Sequence, residues 1–272
     1  MKILITGSNG NLGRCLVKAL ANPANLIYEA SSKPKAKQIN INFESMENFN
    51  IPKVDLVIHC ARSFSSLGLS REIEFLDTIF KQNAKVVNIG SLSESLIKPN
   101  NYGLRKSVIS KHILNKGGTV LTCGLLVGKD YKGQIWHLQK YLRYTPFYFR
   151  VKQNPYQYFT CLECLIKILI DYVLVLKNEN YAIFEREKIV DFNVFLKSIS
   201  LIKLTSLTID LKKISSILNV LKLKFGNYFS ADSILGLLGN LDKENLYQLN
   251  YEIYQKLNRC QHESLFYEQG KA

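Results

Sequence analysis

The sequence predicts an α/β fold in which a doubly wound parallel sheet is followed by a smaller C-terminal lobe. Short apolar runs alternate with segments of helical periodicity between Lys2 and Val127, and this alternation is typical of βαβ units. A glycine-rich turn joins the first apolar run to the first helical segment. Hydrophobic residues make up 47% and charged residues 21% of the 272 residues, a balance typical of globular proteins.

The elements of the first half follow from the spacing of apolar residues. Apolar side chains recur every three or four positions in three segments, which predicts helices at Leu12–Leu20, Arg71–Gln82 and Tyr102–Lys116. The short apolar runs between them predict strands at Lys2–Thr6, Leu26–Ala30, Gln38–Asn42, Asp55–Ala61, Lys85–Gly90 and Thr119–Val127.

The second half has a different pattern, and we expect it to form a smaller lobe that interleaves with the first. Residues 135–154 are rich in aromatic and basic side chains and are predicted to be irregular, whereas residues 201–227 fit no single element. The predicted domains are therefore residues 1–150 and 151–272. Within the second, periodicity predicts a strand at Tyr181–Phe184 and helices at Cys161–Leu176, Asp191–Ser200 and Lys243–Asn258.

Composition excludes several protein classes. The six cysteines are scattered over a long chain, so a disulfide framework is not expected. The apolar run at the N-terminus is too short for a signal peptide. The longest apolar stretch, Cys164–Leu176, contains Lys167 and Asp171 and falls short of the ~20 residues that span a membrane. We expect a soluble, cytoplasmic protein without a membrane span.

Positive charge is concentrated in the first half. Residues 1–150 carry 21 Lys and Arg against 9 Asp and Glu, whereas residues 151–272 carry 15 against 13. A solvated basic surface, a nucleic acid or a small ligand with several phosphates would each account for the excess. The lysines stand singly among apolar segments, without the dense basic stripe of a nucleic-acid-binding protein. We expect no nucleic-acid partner and favour a phosphate-rich cofactor.

The glycine-rich turn predicts a dinucleotide site of the Rossmann type. It is a G-x-x-G-x-x-G segment between the first strand and the first helix. Glycine permits the tight turn, the approach of a pyrophosphate to the backbone, and close packing of helix on strand. The free N–H groups at the start of the helix favour the phosphates. The candidate cofactor-binding residues of this turn are Gly7, Asn9, Gly10, Asn11, Leu12 and Gly13.

The end of the second strand predicts which cofactor is bound. An acidic residue there favours NAD, whereas a basic residue accommodates the 2′-phosphate of NADP. Ser31 and Ser32 are followed by Lys33 and Lys35, with no acid among them, and Arg14 follows the last glycine. NADP is therefore favoured. NAD stays open as the alternative, because Glu29 lies two residues before Ser31.

Tyr102 and Lys106 stand four residues apart in a predicted helix and so share one face. An ammonium beside a phenol makes the tyrosine a usable general acid or base. Tyr148–Lys152 and Tyr267–Lys271 have the same spacing, but only Tyr102 opens the helix after the fifth strand. Ser91 ends that strand, and a hydroxyl there can polarise a substrate carbonyl. An exposed pair on a surface helix is the alternative interpretation.

These motifs resemble the short-chain dehydrogenase/reductase superfamily, and within it the extended or atypical NAD(P)-dependent epimerase/dehydratase group that acts on nucleotide-linked sugars. Residues 1–128 contain most of the resemblance: the GxxGxxG turn, the DLVIHCA and VVNIGS strands, YGLRK, and a strand running to Gly128. The resemblance implies that residues 1–150 bind NAD(P) and that residues 151–272 form the substrate lobe. It also implies a homodimer, because members of this superfamily commonly pair through helices.

The resemblance also implies roles for individual residues. Tyr102 would be the catalytic acid/base, Lys106 would bind the nicotinamide ribose and hold the tyrosine's pKa down, and Ser91 would bind the substrate oxygen. The residues expected along the cofactor after the fourth strand are Cys60, Ala61 and Arg62.

Three departures from the group's pattern narrow the expected activity. Ser91 is only eleven residues before Tyr102, so Ser93 is an alternative for the substrate contact. The strand that ends at Gly128 lacks the Arg-Pro often found there. The segment Ser91-Leu92-Ser93 lacks the adjacent Asp-Glu pair of sugar 4,6-dehydratases, and elimination needs such carboxyl groups.

We therefore predict an NADP-preferring oxidoreductase that acts on a nucleotide-linked sugar, as a 4-keto-sugar reductase or an epimerase, in polysaccharide biosynthesis. A non-catalytic NAD(P)-binding regulatory or scaffold protein on the same fold is the alternative.

Other conspicuous residues are interpreted as structural. Cys161 and Cys164 form a lone CxxC pair without the further ligands that zinc needs, so no metal is expected. His59 lies inside an apolar strand and is interpreted as a packed strand residue. Trp136 and the aromatic residues that follow it are interpreted as a lid or interface, with substrate stacking as the alternative.

Overall fold

The computed structural model describes residues 1–45, 48–128, 133, 136, 148–152, 156–184, 189–199, 206–210 and 241–253. A central sheet of seven strands dominates it. The strands in chain order are β1 (Lys2–Thr6), β2 (Leu26–Ser31), β3 (Ile39–Asn40), β4 (Leu56–His59), β5 (Lys85–Ser91), β6 (Thr119–Cys123), β7 (Leu125–Val127), β8 (Tyr148–Val151), β9 (Tyr156–Gln157), β10 (Phe159–Cys161), β11 (Asn180–Ile183), β12 (Val190–Asp191) and β13 (Ser206–Ile209).

Helices connect the strands of the central sheet. A short 3₁₀ helix, Leu92–Ser95, follows β5. The α-helices are α1 (Asn11–Leu20), α2 (Ser66–Lys81), α3 (Asn101–Asn115), α4 (Leu162–Asp171), α5 (Phe192–Ile199) and α6 (Lys243–Tyr247). Among the residues that the structure describes, no helix is both long enough and apolar enough to cross a membrane.

The strand order of the central sheet is β11-β6-β5-β4-β1-β2-β3. Strands β2 and β3 lie on one side of β1, and β4, β5 and β6 lie on the other, so the winding reverses at β1. The pairings of β1 with β2, β1 with β4, β2 with β3 and β4 with β5 are parallel. This is the doubly wound α/β sheet that the sequence predicts, and the fold class is confirmed. Ligands of such sheets bind at the carboxyl ends of the strands where the winding reverses.

Two compact units alternate along the chain. The first comprises Met1–Ser91, Arg105–Thr122 and Leu165–Tyr181, and the second comprises Leu92–Leu104, Cys123–Cys164 and Ala182–Ala272. The assignment of cofactor binding to residues 1–150 and substrate binding to residues 151–272 stays a prediction. Each unit has its own core: the first includes Leu4, Val57, Phe75, Val86 and Ile113, and the second includes Phe159, Phe192 and Phe195 in one cluster and Tyr158, Phe184 and Leu246 in another.

Helix α2 begins five residues before the predicted Arg71, because polar residues ahead of it satisfy its first N–H groups. Ser65 is the N-cap, and its hydroxyl oxygen accepts a hydrogen bond from the Gly68 amide at 2.9 Å. The Glu44 carboxylate accepts a further bond from the Phe64 amide at 2.6 Å. The spacing of apolar residues does not predict these polar contacts.

The predicted sixth strand is two strands, because the chain turns at Gly124. A Cβ atom there would lie 2.3 Å from the Tyr158 carbonyl oxygen, so only glycine allows this approach. Beyond it, β7 leaves the central sheet and pairs in parallel with β10. The short strands β8 to β10, β12 and β13 were not predicted.

Two predicted helices end early. Helix α4 stops at Asp171 rather than Leu176, and the carbonyl oxygens of Leu174 and Leu176 instead accept hydrogen bonds from Lys85 Nζ. Helix α6 stops at Tyr247, and residues 248–251 are not helical. The predictions for residues 135–147 and 201–227 fall almost entirely outside the described residues.

Candidate active site

The glycine turn has the close backbone packing that its sequence requires. Gly7 has φ +69°, and a Cβ atom there would lie 3.0 Å from the Ala61 amide nitrogen. At Gly13 a Cβ atom would lie 2.3 Å from the Gly7 carbonyl oxygen. The Gly10 amide donates a 2.8 Å hydrogen bond to that same oxygen, which closes the turn immediately before α1. The exposed backbone at Gly10 and the first N–H groups of α1 form a cradle of the kind that binds a pyrophosphate.

Asn9 connects this turn to the end of β2. Its Nδ2 donates to the Ser31 hydroxyl oxygen at 3.0 Å and to the Lys33 carbonyl oxygen at 2.7 Å. Gln38 Nε2 donates to Asn9 Oδ1 at 3.1 Å and to Glu29 Oε2 at 2.8 Å. The Glu29 carboxylate therefore has a partner within the protein.

The remaining predicted residues of this region differ in exposure. Ser31 is buried, whereas the side chains of Ser32, Lys33 and Lys35 are exposed. Arg14 is also exposed, and its Nη2 donates to Asn11 Oδ1 at 2.8 Å. The turn thus contacts the end of β2 through Asn9, and the ammonium groups of Lys33 and Lys35 are exposed beside it.

Cys60, Ala61 and Arg62 follow β4, on the other side of β1. The amides of Cys60 and Ala61 donate to the Thr6 hydroxyl oxygen at 3.1 and 3.2 Å. Burial raises the pKa of the Cys60 thiol to about 12, although the positive charge of Lys106 opposes the shift. Arg62 is exposed and lies over the Phe64 ring, 4.8 Å from its centroid.

Lys106 is buried in α3, with 5% of the residue exposed. Its Nζ donates a 3.1 Å hydrogen bond to the Ile89 carbonyl oxygen in β5. The lysine that the resemblance assigns to the cofactor ribose thus lies close to the carboxyl end of β5. Ser91 ends β5 and is half-buried.

Tyr102 is half-buried in the first turn of α3, four residues before Lys106. The competing pair Tyr148–Lys152 begins on strand β8, where residues four apart do not share a helical face. Tyr267–Lys271 lies outside the described residues. Tyr102 belongs to the second unit, and its convergence with Ser91 and Lys106 on a substrate stays a prediction.

Gly103 makes Ser93 a neighbour of the first turn of α3. A Cβ atom at Gly103 would lie 2.1 Å from the Ser93 carbonyl oxygen. The Gly103 amide donates to Asn100 Oδ1 at 2.8 Å, at the start of the helix. This approach keeps Ser93 open beside Ser91 as the serine that contacts substrate.

Sequence reasoning missed a buried polar network in the first unit. His59, interpreted as a packed strand residue, stacks on Phe75 but also hydrogen-bonds to Glu72 at 2.9 Å and to Thr6 at 2.9 Å. The sequence does contain an indication that Glu72 is buried. Glu72 stands four residues before Leu76 and seven before Ile79, so it shares the buried apolar face of α2.

The CxxC pair lies at the start of α4. Cys161 and Cys164 are both buried, and the Cys161 thiol donates to Glu163 Oε2 at 2.9 Å. The hydrogen bond with Cys164 and burial both raise the pKa of the Cys161 thiol far above its usual value. Within the described ranges, no group of three or more His, Cys, Asp or Glu residues could hold a metal ion.

The chain matches no protein-family model and no curated protein by sequence. Solved structures resemble it over most or all of its length. Human epimerase family protein SDR39U1 (isoform 2), solved with NADPH, has a TM-score of 0.67 at 12% identity, with 100% of this chain and 99% of that chain covered. MoeE5 in complex with UDP-glucuronic acid and NAD has a TM-score of 0.60 at 15% identity, over 94% of this chain and 100% of that chain.

An enzyme named for its reaction is also similar. UDP-N-acetylglucosamine 4-epimerase from Bacillus cereus has a TM-score of 0.56 at 16% identity, over 88% of this chain and 99% of that chain. The chain therefore has the fold of the epimerases and reductases that its motifs resemble, which is what a likeness at this identity establishes.

Proposed function

We propose that this protein is an NADP-preferring oxidoreductase that acts on a nucleotide-linked sugar, as a 4-keto-sugar reductase or an epimerase. The observation that carries the proposal is the glycine turn, closed by the Gly10–Gly7 hydrogen bond and connected through Asn9 to the end of β2. This arrangement leaves backbone N–H groups for a pyrophosphate and fixes the adjacent strand end where an adenosine ribose would lie. Proteins of the same fold have been solved with NADPH or NAD bound.

The preference for NADP follows from the charges at the end of β2. Lys33 and Lys35 are exposed beside the turn, and the Lys33 backbone is held by Asn9. The carboxylate that could bind a 2′-hydroxyl group, Glu29, accepts a hydrogen bond from Gln38. The 2′-phosphate of NADP would be attracted by the ammonium groups of Lys33 and Lys35. The 2′-hydroxyl group of NAD would instead compete with Gln38 for the Glu29 carboxylate.

The proposed mechanism assigns proton transfer to Tyr102. The cofactor, when bound, supplies or accepts the hydride at the carbon of the sugar that carries the oxygen. In the reductive direction Tyr102 donates its phenolic proton to the carbonyl oxygen, and in the oxidative direction it accepts the proton of the alcohol. Lys106 supplies a positive charge beside this face of α3, and Ser91 or Ser93 donates a hydrogen bond to the same substrate oxygen.

Titration calorimetry with NADPH and NADH tests the proposal. We expect the wild-type chain, freed of co-purified nucleotide, to bind NADPH more tightly than NADH. Binding of neither would overturn the proposal. Preference for NADH would move the ribose contact to Glu29 and favour an epimerase that keeps its cofactor.

The variant Tyr102→Phe separates an enzyme from a binding protein. It should bind NADPH as the wild type does and lose about 10²–10⁴-fold in turnover of keto-sugar nucleotides, because the acid/base is gone. Tyr148→Phe is the matched control, since Tyr148 shares the Tyr-x-x-x-Lys spacing but lies in β8. Equal turnover in Tyr102→Phe and wild type would remove Tyr102 from the mechanism. NADPH binding without turnover of any keto-sugar nucleotide would favour the non-catalytic alternative.

A role in polysaccharide biosynthesis and pairing into a homodimer are part of the same proposal. Leu67 on α2 and Val108 on α3 are apolar and exposed, which supports helix-mediated pairing. Light scattering of the purified protein tests the pairing directly.

A further inference from the structure

Three neighbouring strands place polar side chains at one level of an otherwise apolar sheet. Thr6 pairs in register with His59, and His59 pairs with Asn88. All three residues are fully buried, at 0% exposure. Strands covered on both faces are normally apolar, and buried polar groups cost free energy unless they are hydrogen-bonded. This polar row therefore requires an explanation.

Hydrogen bonds join Thr6 and His59 to helix α2 in one direction only, whereas Asn88 Nδ2 donates to the Ser110 hydroxyl oxygen of α3 at 3.0 Å. The Thr6 hydroxyl oxygen accepts from the amides of Cys60 and Ala61, so its own hydrogen is left for His59 Nδ1 at 2.9 Å. Because Nδ1 accepts, the ring proton lies on Nε2 and is donated to Glu72 Oε1 at 2.9 Å.

Glu72 is the charged end of this chain of hydrogen bonds. Its second oxygen, Oε2, accepts from the Ser63 amide at 2.8 Å. Burial raises the pKa of the Glu72 carboxyl, but the hydrogen bond and the electrostatic attraction of the His59 ring, the charge of Lys106 and the hydrogen bond from the Ser63 amide together lower it below its usual value. The carboxylate is ionised although only 2% of the residue is exposed. A buried charge of this kind is costly unless it is compensated, and the positive charge of Lys106 contributes to that compensation.

The opposite end of the chain reaches the cofactor cradle. Thr6 holds the amides of Cys60 and Ala61, and the Ala61 amide nitrogen is the atom that a Cβ at Gly7 would approach to 3.0 Å. The segment after β4 is thus fixed against the glycine turn. A dinucleotide lies across the point where the winding reverses. With the adenosine half over β2, the nicotinamide half lies on the side of β4 and β5, where this segment and Lys106 are found.

We propose that Glu72 is a positioning residue for the nicotinamide half of the cofactor site. Through His59 and Thr6 it holds the Cys60–Ala61 backbone against the glycine turn. The inference rests on the proposed function, since it assigns a role toward the cofactor of that same site.

Glu72→Gln tests the proposal by removing the charge and placing a donor where two donors already point, His59 Nε2–H and the Ser63 amide. The titrants are NADPH and 2′,5′-ADP, which contains the adenosine half and lacks nicotinamide. We expect the variant to bind NADPH about tenfold more weakly, the effect of one lost charged hydrogen bond, and to bind 2′,5′-ADP within about twofold of wild type. Glu74→Gln is the matched control, because Glu74 lies on the same helix, is 59% exposed and pairs with Arg71. It should bind both nucleotides as the wild type does.

A second pair of variants keeps the test decisive if Glu72→Gln does not fold, as judged by circular dichroism. Thr6→Val keeps the side-chain shape and removes the hydroxyl, whereas Thr6→Ser keeps the hydroxyl. Thr6→Val should show the same selective loss of NADPH binding, and Thr6→Ser should restore it. Equal losses for NADPH and 2′,5′-ADP in folded variants, or unchanged NADPH binding, would overturn the positioning role alone. Failure of the wild-type chain to bind NADPH would overturn the proposed function and this inference together.

Discussion

The two strand ends that flank the glycine turn are built in opposite ways. At the end of β2 the contacts are made by half-buried or exposed side chains, such as those of Asn9, Gln38 and Lys33. At the end of β4 the contacts are made by Thr6 and His59, which are fully buried and depend on one another. The first arrangement can change one residue at a time and is suited to selecting a cofactor. In the second arrangement, removal of one hydrogen-bonding group leaves its buried partner unsatisfied, so this arrangement is suited to holding the backbone in place.

The largest expected effect is at Gly13. This residue packs against the glycine turn that lies between the ends of β2 and β4, so its substitution should affect both strand ends. In Gly13→Ala the new Cβ would lie 2.3 Å from the Gly7 carbonyl oxygen, and neither backbone segment can move away. We expect a loss of about 1–3 kcal/mol in the free energy of unfolding and no measurable NADPH binding. Urea denaturation and calorimetry measure the two effects.

Gly10→Ala is the control for this prediction. Its Cβ would lie 3.1 Å from the same oxygen, at an exposed position. The loss in the free energy of unfolding should be clearly smaller, and equal losses at the two glycines would show that the close packing of Gly13 on the Gly7 carbonyl is not what stabilises the turn.

The next largest effect is the pH dependence of stability that we expect from the buried network at the end of β4. The pKa of Glu72 is lowered in the folded protein, so its contribution to stability is present above the unfolded pKa of about 4.3 and is lost as pH falls through the folded pKa. The difference in unfolding free energy between wild type and Glu72→Gln should be constant from about pH 7 to 5 and shrink at lower pH.

Asp77→Asn serves as the control for the pH experiment. The pKa of Asp77 is also lowered: burial raises it slightly, but hydrogen bonds and charges from Lys116 and His112 outweigh burial. This carboxylate is 35% exposed, so solvent screens the pairs and the difference from wild type should be small throughout. A difference for Glu72→Gln that grows on acidification would contradict the assigned charges.

On the β2 side, the double variant Lys33→Ala/Lys35→Ala should affect only the 2′-phosphate. We expect NADPH affinity to fall about 10-fold and NADH affinity to stay unchanged, because only NADPH presents an anion there. Lys18→Ala is the matched control, an exposed lysine in the last turn of α1. Equal losses for both cofactors would assign the lysines to the pyrophosphate instead.

The smallest effect is expected at Gln38. Gln38→Leu removes the donor that holds the Glu29 carboxylate and Asn9 Oδ1, which leaves the acid available to a 2′-hydroxyl group. NADH affinity should rise about threefold, because the 2′-hydroxyl group no longer competes with Gln38 for the carboxylate. Adding Glu29→Gln should abolish the gain, and a gain that persists would exclude Glu29 as the ribose contact.

The sequence predicted the parts of the site that depend on local pattern. The glycine turn, β1, β2 and the helix that contains Tyr102 and Lys106 follow from spacing within about twenty residues of chain. The start of α2 was missed because the caps at Ser65 and Glu44 act through single polar contacts. The hydrogen bond between His59 and Glu72 depends on how α2 packs against the sheet. The spacing of apolar residues along the chain does not predict that packing.

The single direction of the hydrogen bonds from the Cys60 amide to Glu72 has an evolutionary consequence. Loss of the Thr6 hydroxyl, the His59 ring or the Glu72 carboxylate alone leaves a buried donor facing a donor, or an acceptor without one, so intermediates with one such loss are penalised. Substitution of all three by apolar residues of similar shape would remove the penalty together with the fixed charge. We therefore expect proteins descended from a common ancestor with this chain to keep the three residues as a set or to replace them as a set.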